Sequence, residues 1–110
     1  MGARYVENGY TDTLDGIIIA LCRDYCSRRD KGVFDGYSRR TRMEYEYIDS
    51  ILLRAAGEVA GESDAERIIA EIGERVGYAY SAIDGVSEST YKIMKKEVKL
   101  NIARKLHMLD

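Results

Sequence analysis

Lys92, Lys95, Lys96 and Lys99 stand close together near the C-terminal end of the chain. At about 100° per residue they share an arc of about 100° on a helix. Four ammonium groups on one arc could neutralise phosphates of a nucleic-acid backbone. Four such contacts would give binding a salt slope of about −3.6, at about −0.9 per contact. The alternative is an ordinary solvated helix face. A second basic cluster, Ser38-Arg39-Arg40-Thr41-Arg42, could hold phosphate in the same way, because guanidinium groups offer several planar donors. It reads equally as a surface loop opposite an acidic segment.

Other reactive side chains point to less. Cys22 and Cys26 are four apart, a spacing that can set two thiolates on one side of a helix. A zinc site needs four ligands, or three and a water. There is no second cysteine pair and His107 is the only histidine, so the expectation is a pair of packed thiols and no metal. A disulfide does not suit two positions of one regular helix. His107, near the end of the chain, suits the negative end of a helix dipole better than general-base chemistry. Glu44 and Asp49 fall on different helix faces and make a poor cation site. No glycine-rich phosphate loop is present. These absences predict a non-enzymatic protein without a small-molecule cofactor. Nine tyrosines could stack on bases, fill a core that lacks tryptophan, with each hydroxyl reaching water, or serve a protein interface.

The whole chain narrows the field further. It has 110 residues, 45% of them hydrophobic and 33% charged, with no proline. That length suits one domain. The absence of proline favours long uninterrupted helices. No apolar run approaches the roughly 18 residues of a membrane span, and no signal peptide opens the chain, so a cytoplasmic setting without membrane attachment is expected. The net charge is −2 but unevenly spread. Residues 23–42 and 75–110 are net basic, and residues 43–74 are net acidic. Such a pattern suits one basic face, faces of opposite sign that meet in an oligomer, or equally an ordinary solvated surface.

Apolar spacing gives the elements. Residues 1–10 are polar and aperiodic, and are expected to form a disordered tail before a single helical domain at 11–110. Thr11-Asp12-Thr13 supplies helix caps. Leu14, Ile17, Ile18, Leu21, Cys22 and Tyr25 then form one stripe of a helix over 13–31, with Ile19 off it. Gly32 to Gly36 reads as a connection. A second helix starts near Ser38 or Thr41. It carries Tyr45, Ile48, Ile51, Leu52, Ala55, Ala56 and Val59 inward and stops at Gly61. Ser63-Asp64-Ala65-Glu66 matches a capping box before a third helix with Ile68, Ile69, Ile72 and Val76 inward, ending at Gly77. The last helix begins near Ser87 or Ser89. Tyr91, Met94, Val98, Ile102 and Leu109 share one side of it, and Ile93, Leu100 and His107 another. Nothing alternates with period two. The predicted fold is an all-α compact bundle of four to five helices.

Ile72, Gly73, Val76, Gly77, Tyr78, Ile83 and Val86 form a further pattern. Gly73 allows two helices to cross closely, Gly77 allows positive φ at a turn, and the apolar residues would lock the pair at the roughly 90–120° of such motifs. The segment 69–86 resembles the helix-turn-helix of DNA-binding proteins. With the basic helix that follows, it is also similar to small phage regulators of the ArpU type. The resemblance implies a regulator of phage or prophage origin that binds DNA, with Tyr80 and Ser81 in the groove and the lysines on phosphate. One departure stands against it. Ala79, Tyr80, Ser81, Asp84 and Gly85 include none of the Arg, Lys, Asn or Gln that usually read bases. The alternative is a helical protein-interaction module, bound to another protein or to itself as a homodimer.

Overall fold

The computed structural model describes residues 9–31 and 39–109. Among them are four α-helices, two short 3-10 turns and no strand, which is the all-α bundle of the sequence reading. The helices are α1 (Asp12–Lys31), α2 (Arg39–Ala60), α3 (Ala65–Gly73) and α4 (Glu88–Lys105). The rest of the expected tail, at 1–8, and the connection at 32–36 lie outside the described residues.

The described part begins inside the fold. Tyr10 is buried, and its hydroxyl donates to Asp15 at 2.9 Å. The expected tail therefore does not extend to Tyr10. Thr11 caps α1 by accepting the Leu14 amide at 3.1 Å. The buried side of α1 is Ile18, Ile19, Cys22, Tyr25 and Cys26, while Ile17 is exposed. The stripe is thus rotated from the expected one, because α1 packs against α3 and also against α4. Two neighbours cover a wider arc than one.

α2 packs on α3 and α4 through Leu52, Ala55 and Ala56, all fully buried. The small side chains of Ala55 and Ala56 let the neighbouring helices approach. Gly61, at φ 91°, ends α2 as expected. The capping box does not form. A 3-10 turn, Glu62–Asp64, precedes α3, and Asp64 sits at the N-cap without a side-chain cap bond. The two carboxylates are used elsewhere. Asp64 accepts from Arg67 at 3.1 Å, and Glu66 accepts from the Tyr25 hydroxyl at 2.6 Å.

α3 ends at Gly73, earlier than predicted. The Val76 amide donates to Glu71 O at 2.9 Å, and Arg75 takes the left-handed conformation at φ 57°. Gly77 has φ −85°, so it does not use the freedom the motif assigned to it. Gly73 does mark a close crossing, but with α1. A Cβ there would lie 2.7 Å from the Arg23 amide nitrogen and 2.8 Å from its Cα.

The second helix of the expected helix-turn-helix is absent. Tyr78–Tyr80 makes one 3-10 turn, and no α-helix lies between α3 and α4. Ile83 reaches the core from non-helical backbone. Gly85, at φ 80°, is incompatible with a continuous helix there. Ser87 then caps α4, accepting the Thr90 amide at 3.2 Å. Tyr91, Val98, Ile102 and Ala103 face the core. Leu100 is buried while Ile93 is exposed, so the expected second apolar line does not exist. His107, at φ 60°, closes α4, with the Met108 amide donating to Ala103 O at 2.9 Å. Leu109 lies beyond the helix and folds back to the core.

Candidate functional site

Glu71 sits on α3 between Ile68 and Ile72 and is 7% exposed. A buried carboxylate needs donors, and this one has three. Ser81 Oγ, the Ala82 amide and the Tyr91 hydroxyl each donate to it at 2.7 Å. The hydroxyl of Tyr91 is held in its neutral form, its pKa pushed up to about 12 by burial and by the hydrogen bond to Glu71. These contacts tie the segment after the 3-10 turn to α3 and α4. The helical course expected for 78–86 gives way to this clamp.

The clamp decides what becomes of the predicted nucleic-acid residues. Ser81 is half-buried and donates to Glu71. Tyr80 stands at 87% exposed in the 3-10 turn. Lys95 is half-buried and donates to Val76 O at 2.7 Å, with its ammonium 5.2 Å from the centre of the Tyr91 ring. Burial lowers its pKa, and Lys99 lowers it further. Lys99 is 7% exposed and pairs with Asp15 at 2.8 Å. Lys92 is exposed and pairs with Glu88 at 3.2 Å. Lys96 is half-buried. The lysine arc is therefore no continuous phosphate surface. Lys95 and Lys99 hold α4 to the body of the molecule, because α4 also packs against the loop after α3 and against α1. Arg39 and Arg40 open α2, with side chains outside the description. Arg42 is exposed one turn on.

A second buried charge went unnoticed in the sequence. The Arg28 guanidinium donates to both oxygens of Asp49, at 2.7 and 2.8 Å, and to Asp24 at 3.0 Å. The bonds to Asp49 raise its pKa further above an already high value. The same guanidinium lies 4.1 Å from the centre of the Tyr45 ring. It bridges α1 to α2 and lies against Tyr45. Arg28 follows Cys22 and Tyr25 at helical spacing, and a charge on an apolar stripe signals a buried partner. Glu71, three after Ile68, carries the same signal.

Tyr45 forms part of an open groove of about 1040 Å³. The apolar stripe of α2 continues backward from Leu52 through Ile48 and Tyr45 to Thr41. Among the described residues that line the groove, Leu106, at the end of α4, stands across from it. Met43 and Tyr47 rise beside the stripe at 58% and 63% exposed, and Glu44 adds a charged edge. The N-terminal half of α2 thus carries a half-covered apolar strip that adjoins an exposed one.

Cys22 and Cys26 are buried, and burial pushes the Cys22 pKa up to about 12, which suppresses the nucleophilic thiolate. Among the described residues no group of three or more His, Cys, Asp or Glu could hold a metal, and no helix is long and apolar enough to cross a membrane. Comparison with protein-family models, curated proteins and solved structures gives no match.

Proposed function

We propose that the chain is a non-enzymatic helical interaction module that docks through the N-terminal half of α2 and the end of α4. The observation that carries this reading is the exposure of Met43 and Tyr47 beside the half-covered stripe of Tyr45, Ile48 and Leu106. Methionine and aromatic residues are enriched in protein interfaces, and a contiguous exposed apolar patch marks a contact surface. An apolar groove beside a helix accepts the apolar face of another helix. A nucleic-acid role would fall to the arginines at 39, 40 and 42, since the lysine arc is largely engaged within the fold.

The test is a selection of helical peptides from a random library on the wild-type chain, repeated on Tyr47→Lys. Duplex DNA is tried in parallel by fluorescence anisotropy at about 50 and about 200 mM salt. The reading predicts amphipathic peptides whose affinity drops at least about tenfold with Tyr47→Lys, and no salt-sensitive DNA binding. Peptides indifferent to Tyr47→Lys, or duplex binding that collapses as salt rises, would contradict it.

A further inference from the structure

We infer that Asp84–Gly85 is a self-modifying site, at which the Asp84 carboxyl cyclises onto the Gly85 amide and reopens as isoaspartate. The inference is independent of the docking face. Asp-Gly occurs three times in the chain, at 15, 35 and 84. Asp35 lies outside the described residues, which leaves Asp15 and Asp84. Ring closure needs an accessible carboxyl, an amide nitrogen that is not already hydrogen-bonded, and backbone that can rotate to join them. A glycine after the aspartate removes the Cβ that would shield the nitrogen and widens the accessible backbone conformations.

The fold supplies these conditions at Asp84 and withholds them at Asp15. Asp84 and Gly85 are exposed and non-helical. Neither the Asp84 carboxylate nor the Gly85 amide has a hydrogen-bond partner among the described residues. A Cβ on Gly85 would meet no atom within 4 Å, so the approach to its amide is open. Asp15, in contrast, accepts from the Tyr10 hydroxyl at 2.9 Å and pairs with Lys99 at 2.8 Å. Gly16 lies inside α1, where the helix ladder uses its amide. Cyclisation at Asp15 therefore waits on local opening of α1.

The chemistry needs no other reactant than water. The Gly85 nitrogen attacks the side-chain carboxyl carbon of Asp84. A C–N bond forms, the C–OH bond breaks, and the amide proton leaves with the hydroxyl as one water. Water then adds to the succinimide. Breaking the bond from nitrogen to the side-chain carbonyl carbon restores aspartate. Breaking the bond from nitrogen to the main-chain carbonyl carbon leaves the chain running through the side chain, with a free α-carboxylate. The lost water is regained, and nothing is oxidised or reduced. The product adds one methylene to the backbone between Ile83, which is buried, and the Val86 carbonyl, which accepts from the Tyr78 hydroxyl at 2.9 Å. The change falls in the segment that joins the Glu71 clamp to the Ser87 cap of α4.

Peptide mapping of the full chain tests this, after incubation in heavy-oxygen water at physiological temperature and mildly acidic pH. A parallel sample is held in urea until it has accumulated product at both sites. Trypsin releases residues 76–92, in which Asp84 is the only aspartate. In the folded chain that peptide is expected to gain a species lighter by one water, and then an isoaspartate carrying heavy oxygen. Fragmentation of each peptide assigns the product to its residue. Asp84 should react at least about tenfold faster than Asp15 in the folded chain, and at a comparable rate in urea, where no helix protects Asp15. Asp84→Glu, which must close a larger and slower ring, should lose the product with wild-type helicity by circular dichroism. Asp84→Asn, which expels ammonia instead of water, should form the same isoaspartate faster. A folded chain in which Asp84 reacts no faster than Asp15 would overturn the inference. So would a peptide 76–92 that stays unlabelled when folded while the urea sample is labelled, or an Asp84→Asn chain no faster than the wild type.

Discussion

The carboxylate of Glu71 holds three donors from two different parts of the chain, so its removal strands all of them. Leaving a buried donor unsatisfied costs roughly 1–3 kcal/mol. Glu71→Ala is expected to destabilise the fold by about 2–4 kcal/mol in urea unfolding, the donors regaining some of the loss from water. A change below about 0.5 kcal/mol, the range of ordinary surface substitutions, would show that the clamp contributes nothing. Tyr25 and Tyr91 give a pH dependence. Burial and hydrogen bonding to Glu66 and Glu71 raise both pKa values from 10.0 to about 12. A raised value in the folded state means that folding favours the neutral hydroxyl. The stabilisation is therefore complete below about pH 10 and is lost as pH rises toward about 12. Tyr25→Phe and Tyr91→Phe should each flatten the alkaline fall of the unfolding midpoint over that window. A single tyrosinate absorbance transition near pH 10 for all tyrosines would contradict the assignment. At this scale the sequence held more than was read from it. Glu71 and Arg28 both interrupt apolar stripes, and a charge in that position requires a partner. The identity of the partner was not legible, because Asp49 and the Ala82 amide meet their groups only through tertiary packing.

Helix ends separate what local sequence encodes from what packing decides. Ser87 caps α4 and Gly61 ends α2 as the sequence indicates, since both depend on residues within one turn. The Ser63–Glu66 box fails because Glu66 is drawn to Tyr25 on α1, a contact that no local pattern announces. Gly73 was legible as a crossing point, while its partner, α1 at Arg23, was not. Gly73→Ala would set a Cβ against backbone atoms that cannot rotate away, so the helices must separate. It is expected to cost about 1–3 kcal/mol. Arg75 behaves oppositely. A non-glycine residue in the left-handed region is strained by roughly 1–2 kcal/mol, and the greater freedom of glycine in the unfolded chain offsets about 0.5–1 kcal/mol of that. Arg75→Gly should therefore raise the urea midpoint slightly while Gly73→Ala lowers it. The reverse order would contradict the placement of the α3 terminus at Gly73. The same terminus explains the missing second helix of the motif. The chain leaves α3 one turn before Gly77, and the clamp then draws residues 81 and 82 toward Glu71.

At the scale of the whole molecule, the uneven charge resolves into two uses. Part of the C-terminal basic segment is internal, with Lys99 on Asp15 and Lys95 on a carbonyl. The arginines that open α2 precede glutamates on the same helix, beside the apolar strip of Met43 and Tyr47. The alternation of basic and acidic stretches was visible in the sequence. Which charges were structural was not, because that depends on which helix faces meet. The all-α bundle was legible from apolar spacing, and the groove beside α2 was not, because Tyr45 and Ile48 lie on a stripe that would ordinarily be covered. The most direct measurement is the nuclear magnetic resonance spectrum of the methionine methyl groups of the full chain as a selected amphipathic helical peptide is added. The chain has four methionines, and Met43 lies on the proposed docking face while Met94 lies on α4 away from it. The account predicts that the Met43 methyl shifts as peptide is added while that of Met94 holds still. A Met43 signal unmoved by saturating peptide, or a shift confined to Met94, would contradict it.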